Sequence, residues 1–261
     1  MLGLVRSDMR LALNLLAMNI RDRYLGSSLG SIWAIANPLF MLVLYTFLFG
    51  FVFKVRLPGA ETTFAYAVWL ISGYGPWLGT VEALTAATHS IVSATGIVKN
   101  LAIKTELLPF AATFVGLLTV AVCLVFLSVL LLVDGRFMGW QILWLPIVVA
   151  VHFALLVGLG LWLGAANVFL RDLGLALPNL LTILMFSTPI FYPIESLPLV
   201  LQRVTQLNPF YIVIESYRSV ILGNSAPAPW GLLYVLGLAI VVFLAGLTVF
   251  RRVKGNFGSM L

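Results

Sequence analysis

A turn-prone opening, Leu25-Gly26-Ser27-Ser28-Leu29-Gly30, runs directly into Ile32 to Phe53, a stretch without one charged side chain. A helix needs roughly 20 apolar residues to cross a bilayer core, and this stretch supplies them. Arg21, Asp22 and Arg23 stand before it and Lys54 and Arg56 behind it, so the apolar run is bracketed by charge. Such a chain spans a membrane. Composition agrees: 62% of the residues are hydrophobic and 9% charged, too few polar groups to cover the apolar surface of a soluble domain. In that setting the net charge of +6 reads as the cytoplasmic Lys and Arg excess beside membrane spans, not as a nucleic-acid footprint.

The N-terminus carries Arg6 and Arg10 before a short apolar run, as a signal peptide does. That run contains Asn14 and Asn19, ends in Arg-Asp-Arg and has no small-x-small cleavage pattern. Arg6, Arg10 and Asn14 recur every fourth residue and Arg21 returns to the same side, so residues 1–24 are expected to form an amphipathic helix lying in the interface.

Further apolar runs follow at about Phe64 to Val81, Leu108 to Val133, Trp140 to Ala166, Ala176 to Tyr192 and Trp230 to Phe250. With the first they make about six spans in an all-α integral membrane protein, a single transmembrane domain over 1–261. If both ends are cytoplasmic, that side holds Arg6, Arg10, Arg21, Arg23, Lys99, Lys104, Arg171, Arg251, Arg252 and Lys254. The far side holds half as many: Lys54, Arg56, Arg136, Arg203 and Arg218. The bias predicts cytoplasmic termini. Two connectors are too patterned for simple turns. Residues 83–107 mix His89, Lys99, Asn100, Lys104 and Glu106 with apolar residues, which suits a helix on the cytoplasmic membrane surface. Residues 193–229 hold two pieces too short to span, broken at Asn208-Pro209, which suits a re-entrant or surface helical hairpin on the outer side before the last span.

Most recognisable chemistry is absent from the sequence. Gly26-x-Ser28-x-Gly30 matches the pattern of a hydrolase nucleophile elbow, but it follows an interfacial helix and opens a span, and the histidines are His89 and His152 alone. A Gly/Ser turn into the bilayer accounts for it. There is no P-loop, no zincin motif and no Cys/His cluster, so neither nucleotide nor metal binding is legible. Cys123 has no partner within the chain and reads as a small lipid-facing or core residue. His152 reads as a hydrogen-bonded packing residue rather than a proton relay, and no acidic residue falls mid-span, against an ion-coupled carrier. Gly160-x-x-x-Gly164, with Ala154 and Gly158 before it, predicts close helix packing in the fourth span.

Four blocks carry a resemblance. Arg23-Tyr24-Leu25-Gly26-Ser27-Ser28-Leu29-Gly30-Ser31-Ile32-Trp33 leads, with Asn37-Pro38 and Phe47-x-Phe49-Gly50-x-Val52-Phe53 behind it. Then come Asn100-Leu101-x-Ile103-Lys104 with Leu108-Pro109, Arg171-Asp172-Leu173 with Pro189-Ile190-Phe191-Tyr192-Pro193, and Leu207-Asn208-Pro209-Phe210-Tyr211 with Glu215 and Tyr217-Arg218. Together, in this order and at span boundaries, they resemble the permease subunits of ABC exporters for O-antigen, capsular polysaccharide and teichoic acid. Thr105-Glu106 departs from that pattern, which tends there to be more basic and aromatic. The resemblance implies a homodimer in a bacterial inner membrane, with a separate ATPase subunit on the cytoplasmic face holding ATP and Mg, and no cofactor, metal or catalysis on this chain. The cargo implied is lipid-linked polysaccharide of O-antigen or teichoic-acid type. A capsule exporter or a drug or small-lipid exporter of the same fold is an alternative, and a membrane-embedded enzyme or channel a remoter one.

Site residues follow from the resemblance joined to the pattern. Ile97, Lys99, Asn100, Leu101, Ile103 and Lys104 are expected to form the coupling helix against the ATPase, or else a surface connector on lipid headgroups. Arg21 and Arg23, with Ser27 and Ser28 of the turn, are placed to hold a lipid pyrophosphate headgroup, or merely obey the charge bias. Trp33, Asn37, Phe40, Phe47 and Phe51 recur at helical spacing, as do Asn179, Thr182 and Phe186; in the family these two spans line a channel. Sugars stack on aromatic walls while scattered polar groups exchange hydrogen bonds. Tyr192, Phe210 and Tyr211 would stand at an outer gate. The alternative for each aromatic is contact with lipid or a neighbouring helix.

Overall fold

A computed structural model describes residues 2–24, 30–55, 62–100, 104–135, 139–223 and 225–261, and among them every regular element is a helix. Helix α1 (Leu2–Tyr24) is followed by α2 (Trp33–Tyr45), which continues as a π-helical segment, Thr46–Val52. Helix α3 (Thr63–Ser93) is the longest. Then come α4 (Thr95–Asn100), α5 (Leu107–Thr113), α6 (Val115–Val133), α7 (Leu145–Phe169) and α8 (Asp172–Ser187). The short α9 (Leu199–Thr205) and α10 (Pro209–Ile221) precede α11 (Pro229–Val253) and α12 (Phe257–Met260).

The boundaries have local causes. Thr62 caps α3 by accepting from the Ala65 amide at 3.1 Å, and Asn208 caps α10 by accepting from Phe210, with Pro209 in the first turn where no amide is needed. Gly135, at φ 71°, supplies the left-handed residue that ends α6.

Among the described residues, four helical stretches are long and apolar enough to cross a membrane: Trp33–Val52, Leu107–Val133, Trp140–Phe169 and Pro229–Met260. The second expected span lies within the 31-residue α3, whose centre is mostly buried. The fifth, expected to run from Ala176 to Tyr192, is a 16-residue helix that starts at Asp172 and stops at Ser187. It stops because residues 188–192 turn inward, and Pro189, Ile190 and Phe191 are buried. The first span is not uniform either. Its π segment opens the helix where Gly50 meets Thr63 and Tyr66, a Cβ there falling 3.1 Å from Thr63 Cγ2.

Helix α3 is the central pillar and packs against α5, α6, α7 and α10. Small residues let it do so. A Cβ on Gly116 of α6 would overlap the Gly79 carbonyl oxygen of α3, so these two backbones touch. The glycines of α7 divide between two neighbours. Gly160 and Gly164 face Ala87 of α3 and Pro109 or Thr113 of α5, whereas Gly158 faces the backbone of α11 at Phe243. Two hydrophobic clusters result. The main one runs along α3, α6, α7, α10 and α11, and a smaller one gathers residues of α1, α3, α5, α7, α11 and α12 at the end of the bundle where Glu106 lies.

Candidate functional site

At the opposite end, Phe186 of the expected channel wall and Tyr192 of the expected gate lie beside an aromatic cluster built on Phe191. Phe191, 1% exposed, lies 4.6 Å from Phe49 in a nearly parallel stack, 5.0 Å from Tyr45, 5.5 Å from Tyr74 and 5.6 Å from Phe186, centroid to centroid. Such ring pairs add to what their buried area gives. Through Phe191 the first apolar helix, α3 and the end of α8 are joined. Tyr192 donates its hydroxyl to the Phe186 carbonyl at 2.9 Å, so an expected gate residue and an expected lining residue sit together. Phe210 turns the other way, its ring edge-on to Trp77 at 5.7 Å, and packs α10 onto α3.

Flanking this cluster are two exposed strips. On α2 and the π segment, Trp33, Asn37, Phe40, Leu44, Phe47 and Phe51 are all exposed, as are Ile35 and Val43 of the same helix. Phe40 is 63% exposed, while Phe47 and Phe51 stack at 6.3 Å on the rim of an apolar groove of about 310 Å³ shared with α3 and α6. On α8, Asn179, Thr182 and Phe186 are exposed, and the Thr182 hydroxyl donates to the Pro178 carbonyl of its own helix.

The residue that the sequence reading left unassigned is Arg218. It is 5% exposed, and its guanidinium donates from Nη1 to the Pro189 carbonyl (3.0 Å) and to Glu215 (2.6 Å), and from Nη2 to the Ile190 carbonyl (2.8 Å). Its carbon lies 3.7 Å from the centre of the Trp69 ring, a cation–π stack. Space for it comes from Gly73, where a Cβ would fall 2.6 Å from Nη2. Tyr66 donates to the Phe191 carbonyl at 3.0 Å beside it. Arg218 thus satisfies two carbonyls of the turn that follows α8. The signal was present: an arginine within an apolar helix, three residues after a glutamate, marks a built site. Asn208 adds a second tie, donating to Thr188 Oγ1 at 3.0 Å.

Next to it runs a buried polar chain. Thr80 donates to the Pro76 carbonyl at 3.1 Å, so the His152 ring donates from Nε2 to Thr80 (2.9 Å) and accepts the Tyr217 hydroxyl at Nδ1 (3.3 Å). His152 is a packing residue bonded on both nitrogens. Asn167 does comparable work near the Glu106 end, bridging the Thr88 carbonyl of α3 and the Gly174 amide of α8, each at 3.0 Å.

The expected coupling residues lie at that end. Helix α4 carries Ile97, half-buried, and Lys99, exposed, and closes at Asn100; Leu101 and Ile103 lie outside the described residues, and Lys104 is exposed. Of the expected headgroup residues, Arg21 is exposed near the end of α1, Arg23 falls in its last turn, and Ser27 and Ser28 lie outside the described residues. Helix α1 and the start of α4 are neighbours: Met18 and Asn19 of α1 face Ser90, Ser93 and Ile97 across a cavity of about 430 Å³. Among the described residues no cluster of metal-ligating side chains is present.

A family model described as "ABC-2 type transporter" matches residues 11–222. The chain is similar to the O-antigen export system permease protein RfbA of Myxococcus xanthus, 24% identical over 253 residues that cover 96% of this chain and 95% of that protein. An O-antigen export system permease protein RfbA of Klebsiella pneumoniae is 26% identical over 248 residues, 93% and 92% of the two chains. The polysialic acid transport protein KpsM of Escherichia coli is 23% identical over 233 residues, 89% of each.

Proposed function

We propose, from the premise that this chain belongs to the ABC-2 type transporter family, that it is the transmembrane subunit of an ATP-driven polysaccharide exporter. The observation that carries the reading is end-to-end similarity to O-antigen export permeases, 96% of this chain against 95% of the relative. Its cargo is a lipid-linked glycan of O-antigen or teichoic-acid type, moved out of the cytoplasm across a bacterial inner membrane. Two copies work with a separate ATPase subunit, both termini are cytoplasmic, and the chain crosses about six times, α3 and α8 serving as the second and fifth spans.

In this reading the exposed strips of α2 and α8 are the walls of the conduit. Aromatic rings stack loosely on the C–H faces of sugars, and Asn37, Asn179 and Thr182 offer exchangeable hydrogen bonds. Residues 193–229 form the outer hairpin, with Tyr192, Phe210 and Tyr211 at the gate. Arg21 and Arg23, with the Ser27-Ser28 turn, recruit the pyrophosphate headgroup, and Ile97 to Lys104 docks on the ATPase. The proximity of α1 and α4 across the 430 Å³ cavity supports one region that senses both headgroup and ATPase.

Coexpression with the ATPase subunit tests the assignment. The chain should copurify with it and stimulate its hydrolysis, which an enzyme or ATP-independent channel would not. Within the docking segment an apolar anchor outweighs a rim charge. Leu101→Asp should weaken the complex by about 2 kcal/mol or more, whereas Lys104→Ala should cost under about 1 kcal/mol. Copurification and transport undisturbed by Leu101→Asp would remove this segment from the interface.

A further inference from the structure

The last eight residues and Glu106 form a contact that neither the sequence pattern nor the family assignment uses. Phe257 is 1% exposed, sealed edge-on against Phe250 at 5.3 Å and beside Phe169 at 6.0 Å. With Leu15, Ile91, Leu108 and Val168 it belongs to the smaller hydrophobic cluster, and Val98 of α4 and Leu261 at the chain end pack against that same cluster. Helix α12 touches both α4 and α7. The end of the chain is therefore a floor beneath α4.

Glu106 pins this floor to the entry of α5. Its Oε1 lies 3.4 Å from Lys254 Nζ and 3.8 Å from Arg251 Nε, the carboxylate side chain being 15% exposed. The two cations occupy the last turn of α11 and the residue after it, where positive charge also suits the helix dipole. The carboxylate is mostly shielded but both cations reach water, so the pair is a modest tether that the buried Phe257 reinforces.

We propose that Glu106 and residues 254–261 form a positioning clasp for the coupling segment. The clasp holds α4 and the start of α5 against the ends of α7 and α11, so that displacement of α4 by the ATPase is passed to those helices. This rests on the assignment of the segment from Ile97 to Lys104 as the ATPase contact. Glu106 touches neither ATP nor glycan; it acts through the geometry of α4.

The experiment uses the full chain coexpressed with its ATPase subunit and measures ATP hydrolysed per polymer exported. Glu106→Gln keeps the shape and removes the charge. Glu106→Lys reverses it, and Glu106→Lys with Lys254→Glu restores a pair. Phe257→Ala loosens the floor without touching charge. Glu106→Gln, Glu106→Lys and Phe257→Ala should each raise ATP consumed per polymer by between about twofold and thirtyfold, the span of residues that transmit coupling without contacting a ligand. The ATPase should still copurify, and the charge exchange should recover at least half of the loss. Wild-type ATP use in Glu106→Gln and Phe257→Ala, or no recovery in the exchanged pair, overturns the clasp. So does loss of folded chain in every variant, which would make the contact one of folding alone. If instead the unaltered chain neither binds the ATPase nor exports, it is the exporter reading that fails.

Discussion

The two ends of the bundle are secured by opposite means. Around Arg218 the ties are directional and dry: a 5% exposed guanidinium on two carbonyls, a glutamate and a Trp69 face, with Tyr66 and Asn208 adding single hydrogen bonds. Around Glu106 they are apolar and wet. A small cluster is rimmed by cations that remain 42% and 62% exposed. Buried hydrogen bonds to a charge tolerate little displacement before a desolvated group is orphaned. Apolar contacts and solvated ion pairs tolerate more. The Arg218 end is thus built to keep one geometry and the Glu106 end to tolerate a shift, as the coupling role proposed for it requires.

Breaking the stiff end should cost most. Arg218→Met removes three hydrogen bonds and leaves the Pro189 and Ile190 carbonyls and Glu215 without their donor. We expect a loss of about 3 kcal/mol, the lower part of the range for an orphaned buried pair because Glu215 is itself 42% exposed. Arg218→Lys keeps charge but cannot fork onto two carbonyls, and should lose about half as much. Unfolding in detergent, followed by fluorescence, measures both. If Arg218→Met unfolds like the unaltered chain, the contrast between the ends is wrong.

A pair of glycine substitutions sharpens the comparison at a lower cost. Gly116→Ala forces a Cβ into the Gly79 carbonyl and to 2.8 Å from Ala83 Cβ, so α3 and α6 must part, at about 1–3 kcal/mol. Gly96→Ala, in α4 at the Glu106 end, meets nothing within 4 Å. There the gain in helix propensity, about 0.5–1 kcal/mol, should go uncontested and the protein should hold or gain stability. A destabilised Gly96→Ala would mean that α4 is packed as tightly as the core.

What the sequence made legible was periodic. Apolar length located Trp33–Val52, Leu107–Val133, Trp140–Phe169 and Pro229–Met260 closely, and helical spacing put Trp33, Asn37, Phe40 and Phe47 on one exposed strip. Gly160 and Gly164 predicted close packing because only small residues let backbones meet. Partners far apart in the chain were not legible. Nothing local says that Arg218 finds Pro189 and Ile190, that Glu106 finds Lys254, or that α8 stops at Ser187 because Phe191 is drawn into a cage of Tyr45, Phe49 and Tyr74. The π segment is of the same kind: an apolar run of right length is expected to stay α-helical until a tertiary contact, here Gly50 on Thr63 and Tyr66, favours the wider turn.

The smallest stability effects should come from the exposed aromatics, and those carry the largest expected effect on transport. Phe40 is 63% exposed, Phe47 55% and Phe186 49%, so replacing any one singly by Ala or Leu should change stability by no more than about 0.5 kcal/mol. The three differ in what they could be doing. Phe47 rims the apolar groove against Phe64 and Phe126, where bulk alone could matter, and Leu should then restore most of what Ala loses. Phe40 is the most exposed of the three, and Phe186 lies beside Phe191 at 5.6 Å. If the strips are walls for sugar, a flat ring is required at Phe40 and Phe186 and a branched alkyl group does not replace it. Export should therefore fall with Ala and Leu alike at those two positions while protein level and ATPase coupling hold, and fall less with Leu than with Ala at Phe47. Full rescue by Leu at all three would reduce the strips to packing surface against lipid or a neighbouring helix, and the conduit would have to be sought elsewhere.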